Sequence, residues 1–186
     1  MSEWTLVVPE YVWQEIERFI RECPMNVEQV AFLEGIKTPD SSVVLAFVAP
    51  DSTLKPGNYS IPVDSVLECA QFMRTHKLMR VAQLHTHPST FVDHSPYDDE
   101  NAYSHRDGAF SLVIPDYGRR GFNIDEIGFH VCTAGVWERV YPPDFELRLV
   151  PTMRNFRKWN LPTSRIGTQT SWLANIWNGI RKRLGL

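Results

Sequence analysis

The apolar positions of the chain fall into short runs of two periods, and those runs succeed one another in a definite order. Residues 4–8 form a brief apolar stretch that predicts a first strand. Pro9 and Glu10 then open a segment in which Val12, Ile16, Phe19, Ile20 and Cys23 recur at helical spacing, predicting an amphipathic helix that ends near Pro24. Apolar, β-branched runs at 29–36 and 43–48 flank Thr38-Pro39-Asp40-Ser41-Ser42, a turn-rich link that predicts a hairpin. Residues 51–58 read as loop. Val63, Leu67, Ala70, Phe72 and Met73 mark a second helix, and 80–84 reads as a central strand that runs directly into His85-Thr86-His87-Pro88.

From 89 to 108 the chain is polar and loop-like apart from one short helix, with Ser95 as its N-cap and Pro96 at the first helical position, where a missing N–H costs nothing. Strands are predicted at 109–114, 126–132 and 136–141, and Pro142-Pro143 closes the body. The order β-α-β-β-α-β-α-β-β-β specifies an α/β (α+β) fold with one mixed sheet flanked by helices. Several connections are too short for the helical crossovers of a doubly wound sheet.

Composition narrows the class. At 186 residues and 43% apolar, the chain has the material for one globular domain with a short appendage, which excludes disorder and a small disulfide scaffold. Its charge is uneven. Residues 1–150 hold all 22 acidic groups against 12 basic ones, while 151–186 hold seven basic groups and no acid. An acidic body with a basic tail argues against a general nucleic-acid binder. Cys23, Cys69 and Cys132 are odd in number and widely spaced with no CxxC pair, so neither a disulfide framework nor a thiolate zinc site is indicated, and a cytoplasmic, reducing setting is expected. The first residues lack the basic region of a signal peptide, and no apolar run approaches the roughly 18 residues of a membrane span.

The candidate chemistry sits at His85-Thr86-His87-Pro88, six residues, then Ser95-Pro96-Tyr97-Asp98. Histidines at i and i+2 of a strand end point to the same side, so both imidazoles can reach one ion. A carboxylate from the first turn of the next helix would complete three protein ligands and leave a fourth position for water, as in catalytic zinc sites. Ser95 and Asp98 can alternatively do no more than cap the helix. His94 and His105 flank the site, either as ordinary loop residues or in contact with substrate or a second metal; Asp93, Asp99 and Glu100 read as solvated. Cys69 and Cys132 read as core. No nucleophilic triad is indicated, because the cysteines have no evident histidine partner and no serine lies in a GxSxG elbow.

The string H-x-H-P-x6-S-x-x-D, complete as His85, His87, Pro88, Ser95 and Asp98, resembles the signature of the JAB/MPN (JAMM) zinc metalloprotease family. The early part of that family's pattern, Glu-x-x-small-x-Leu-x-Gly, is similar to Glu28-Gln29-Val30-Ala31-Phe32-Leu33-Glu34-Gly35, with Glu28 in the catalytic place and Glu34 as the competing carboxylate of the same strand parity. The resemblance covers residues 1–141. It implies a curved MPN/cytidine-deaminase-like sheet and Zn²⁺ held by His85, His87 and Asp98. Glu28 is implied as proton carrier and Ser95 as hydrogen-bond donor to the oxyanion. It also implies cleavage after the C-terminus of a ubiquitin-like protein, in deconjugation or precursor processing. The bacterial branch that the chain resembles works beside E1-like and E2-like enzymes, including antiphage systems. A metallopeptidase acting on a sulfur-carrier protein and a non-catalytic MPN scaffold are the other readings.

The domain is expected to span 1–143, with 144–186 as a basic, Trp-rich extension. There Ser171 would cap a helix carrying Trp172, Leu173, Ile176, Trp177, Ile180 and Leu184, with Arg181, Lys182 and Arg183 near its C-terminal end. A helix of that kind in 171–186 would pack on its own body, dock on a partner, or lie at a membrane surface.

Overall fold

A computed structural model describes residues 3–24, 26–119 and 121–151. Met1–Thr152 forms one compact unit, and the expected helix at 171–186 lies outside the described residues. Ten strands and three α-helices make up the described unit: β1 Trp4–Pro9, α1 Glu10–Glu22, β2 Val30–Lys37, β3 Ser42–Val48, β4 Thr53–Lys55, β5 Asn58–Ser60, α2 Val63–His76, β6 Met79–Thr86, α3 Pro96–Glu100, β7 Phe110–Ile114, β8 Gly128–Thr133, β9 Val136–Arg139 and β10 Phe145–Val150.

Eight strands form one curved mixed sheet in the order β10-β1-β3-β2-β6-β7-β8-β9, and β4 pairs with β5 apart from it. The pairs β1/β10, β1/β3 and β6/β7 are parallel and the others antiparallel. No helix among the described residues is long and apolar enough to cross a membrane.

Helical periodicity at 12–20 becomes α1, which buries Val12, Trp13, Ile16 and Ile20. These pack on one face of the sheet with Leu6, Leu33, Val44, Leu84, Leu112 and Phe129, forming the main core. The opposite face holds a smaller cluster of Val30, Phe32 and Cys69 beneath α2. That second face is less apolar, and it is where the polar residues of β6 and β7 emerge.

Two elements depart from the sequence reading. The expected loop at 51–58 contains the β4–β5 hairpin, whose turn is made by Pro56 and Gly57, with Gly57 at φ +72°; three-residue strands are too short to show a period. The domain does not end at 143, because β10 runs parallel to β1 from Trp4↔Phe145 to Pro9↔Val150. Phe145 stacks near Phe129 and Phe110, with ring centroids 4.5 and 5.6 Å away, which ties this strand to the core. Residues 145–150 alternate apolar and charged, a strand pattern that the preceding Pro142-Pro143 pair masks as an end.

Candidate metal centre

Strand β6 carries His85 near its C-terminal end, with Val30 of β2 and Val113 of β7 as its lateral neighbours. Pairing on both sides fixes its direction, and burial leaves the ring 1% exposed. His87 lies just past the strand. Its backbone is gripped by β7 and the turn that follows: His87 N donates to Ile114 O (2.9 Å), and Tyr117 N donates to His87 O (2.8 Å). That turn holds two consecutive left-handed residues, Asp116 (φ 51°) and Tyr117 (φ 54°). Asp116 N donates to Ser89 O (2.9 Å), so the unusual backbone secures the site loop at two points.

The i, i+2 spacing does what strand geometry requires. The Nε2 atoms of His85 and His87 are 3.1 Å apart; that of His85 is 3.4 Å from Oδ1 of Asp98 on α3, and that of His87 is 3.4 Å from Oδ2 of the same carboxylate. A tetrahedral ion with ligands at about 2.0–2.1 Å has ligand–ligand edges of about 3.3–3.4 Å, and the two imidazoles and the carboxylate are brought to separations of that order, with one donor atom from each within 4.8 Å of the others. His87 Nδ1 donates to Phe91 O (2.8 Å), which places the lone pair on Nε2, facing the other two donors. His85 Nδ1 is buried without such a partner. The group can hold a metal ion.

Electrostatics agree with that geometry. Burial drives the His85 pKa down to about 3, so this ring is neutral and its lone pair is free. His87 is also opposed by burial, yet hydrogen bonds to Asp98 and the Phe91 carbonyl outweigh it and raise its pKa above the ordinary value. Asp98 is held well below the usual carboxylate range: burial opposes ionisation, but His87, His85 and Ser95 all favour the anion.

Asp98 owes its orientation to Ser95. The Ser95 backbone N–H and hydroxyl both donate to Asp98 Oδ2 (2.7 Å each), while Asp98 N donates to Ser95 Oγ (3.2 Å), closing a capping box around the first turn of α3. The serine hydroxyl proton is therefore directed at the ligand carboxylate.

Glu28 precedes β2 and is fixed through its backbone N–H on Lys55 O (3.1 Å), so the β4–β5 hairpin helps place it. It is 8% exposed and lines a cleft of about 360 Å³ together with His87, Ser95, Asp98, Tyr59 and Phe91. Burial raises its pKa to about 7, with the charge of His87 lowering it and that of Asp98 raising it further. Glu34, the other carboxylate of the segment, is fully buried but faces elsewhere: its Oε1 accepts from Arg80 Nε (3.2 Å) and Nη2 (2.9 Å).

Sequence reasoning missed the residues behind the centre. His94, expected either as an ordinary loop residue or in contact with substrate or a second metal, has a side chain only 4% exposed. Its Nδ1 is 2.8 Å from Asp99 Oδ1 and its Nε2 2.8 Å from Ser111 Oγ. This is the connectivity of an Asp–His–Ser triad, but Ser111 is wholly buried on β7 and no substrate can reach it. His94 also stacks on His130, with ring centroids 4.0 Å apart and an interplanar angle of 20°. His105 is exposed and bonds the Asp99 carbonyl through Nε2 (2.9 Å). Strand alternation around Ser111 and His130 was the only available signal, and it could not name their partner.

No family model and no curated protein matches the chain. Among solved structures, the chain is similar to the solution structure of protein DSY2949 from Desulfitobacterium hafniense, at 15% identity and a TM-score of 0.58 over 78% of this chain and 94% of that one. At that identity the likeness concerns the fold: a large curved mixed sheet flanked by a few helices.

Proposed function

We propose that the chain is a zinc-dependent isopeptidase or peptidase of the JAMM kind, cleaving after the C-terminus of a ubiquitin-like protein. The observation that carries this reading is the convergence of His85, His87 and Asp98, of which His87 and Asp98 line the same cleft as Glu28. Zinc held by these residues would supply Lewis acidity for a carbonyl and acidify water.

Glu28 has the chemistry for the proton transfers. Its carboxyl, with a pKa raised to about 7, takes a proton from the attacking water at one oxygen and returns it to the departing amine. Tyr59 and Phe91 line the same cleft. Ser95 orients Asp98 and borders the space where an oxyanion develops. The partners in this reading are a ubiquitin-like protein and its conjugates, with E1-like and E2-like enzymes supplying them in a bacterial conjugation system.

The test is cleavage of ubiquitin-like proteins fused through their C-terminal glycine to a reporter, by the zinc-loaded chain. Glu28→Gln should lower the rate by about 10²–10⁴-fold while zinc content is unchanged. A wild-type chain that holds zinc but leaves every such fusion intact, or a fully active Glu28→Gln variant, would overturn the proposal.

A further inference from the structure

Helix α3 has five residues and none of them is buried, so burial of its own side chains in the core does not fix where Asp98 sits. The capping box with Ser95 shapes the first turn but lies within the same segment. It cannot set the distance from α3 to the strand that carries His85. Something else must tie this helix to the sheet.

A chain of hydrogen bonds does so. Burial lowers the pKa of His94 and so favours the neutral ring, of which one tautomer satisfies every link. His94 Nδ1–H donates to Asp99 Oδ1 (2.8 Å), and Ser111 Oγ–H donates to His94 Nε2 (2.8 Å). A longer contact, Gln83 Nε2 to Ser111 Oγ (3.4 Å), continues it onto β6, and the Tyr103 N–H donates to Gln83 Oε1 (3.0 Å). The path therefore leaves α3 at Asp99, crosses β7 and β6, and returns just beyond the end of α3. Gln83 lies two residues before His85 and faces the same side of β6. The strand bearing a histidine ligand and the helix bearing the carboxylate ligand are thus joined through one buried imidazole.

We infer that His94 is a positioning residue for Asp98: by bridging Asp99 to Ser111 it holds the carboxylate at the two histidines and so sets the affinity of the site for metal. This rests on reading His85, His87 and Asp98 as a metal site. The His94 ring lies beside that of His85, with centroids 5.8 Å apart, but does not line the cleft, and its hydrogen bonds act on Asp98 through α3.

The experiment titrates zinc alone into the full chain, in competition with a chromophoric chelator. His94→Phe keeps a ring against His130 but cannot hydrogen-bond, and Asp99→Ala cuts the path at its half-exposed end. Each should weaken zinc binding by about 10–100-fold, the usual effect of losing an outer partner, while His94→Gln, whose amide offers both a donor and an acceptor, should recover most of the affinity. Glu100→Ala removes the same charge from the same helix and should leave affinity unchanged. Should His94→Phe fail to fold, as judged by thermal melting without metal, Asp99→Ala against Glu100→Ala carries the test. Wild-type affinity in Asp99→Ala, or an equal loss in Glu100→Ala, overturns the inference while leaving the metal site standing. A wild-type chain that takes up no zinc overturns the metal reading and this one with it.

Discussion

The Nε2 atoms of His85 and His87 face each other at 3.1 Å. At that distance either one ring donates a proton to the other or both lone pairs address a common cation. The Nδ1–H bond from His87 to Phe91 and the third donor from Asp98 favour the cation. The purified chain is expected to bind one zinc, and His85→Ala should cut affinity by more than the roughly 10–100-fold of an outer-partner loss. Metal analysis and chelator competition measure both. Free zinc at a hundredfold excess over Kd should add about 2.7 kcal/mol to stability, seen as a higher melting temperature.

Zinc and protons compete for His87. Although burial opposes its protonation, Asp98 and the Phe91 carbonyl raise its pKa above the ordinary value, whereas His85, at about 3, stays neutral. Zinc must therefore displace a proton from His87 below that raised pKa, and affinity should fall as pH falls, by up to tenfold per pH unit for one proton released. Chelator competition across mildly acidic to neutral pH reads the slope. A flat profile would rule out His87 as the protonated competitor.

Ser95 allows two roles to be separated. Its hydroxyl donates to Asp98 Oδ2 and accepts from Asp98 N. Ser95→Ala should cost the metal-free chain about 1 kcal/mol through loss of the cap, and it should weaken zinc binding about tenfold by loosening the ligand. Oxyanion stabilisation alone would instead lower kcat with zinc affinity intact, by roughly 3 kcal/mol of barrier.

Much of this site was legible in the sequence because strand geometry is strictly periodic. Histidines two apart at the end of a buried apolar run must share a side, and a Ser-Pro-x-Asp start to a helix must place its aspartate in the first turn. Glu28 required the family resemblance, since strand parity alone allowed Glu34 equally; burial against Arg80 separates the two only in three dimensions. His94 was not legible. It sits in a polar loop without a period, and its partner Ser111 is defined by the register that sets Gln83 beside Ser111 and Ser111 beside His130. For β10 the difficulty was distance, because a parallel edge strand is recognised by its partner β1, some 140 residues earlier in the chain.

Gly128 is a packing constraint on the same loop. A Cβ there would meet Val92 O at 2.0 Å and Val92 Cβ at 2.9 Å. Gly128→Ala must push back the segment whose Phe91 carbonyl anchors His87 and whose His94 bridges to Ser111. Overpacking of this kind costs about 1–3 kcal/mol, and zinc affinity should drop along with stability. Denaturant unfolding with and without zinc would show both; an unchanged midpoint would mean that the loop yields freely.

His130 makes the metal-free fold acid-sensitive. It is 3% exposed, neither ring nitrogen has a well-formed hydrogen bond, and burial, aided by His94 and Arg139, lowers its pKa to about 3. The folded chain refuses a proton that the unfolded chain accepts below the ordinary histidine value of about 6.5. Between about pH 6.5 and 3 the unfolded state therefore binds more protons, and stability falls as pH falls. His130→Phe preserves a ring against His94 and removes both unpartnered nitrogens. It should stabilise the metal-free chain by about 1 kcal/mol at pH 8, and by more at pH 5, where the wild type is already losing stability to protonation. His85, buried and neutral in the same way, leaves a residual acid sensitivity of the same sign. Urea unfolding at the two pH values decides: an equal gain at both would mean that His130 does not titrate across this window.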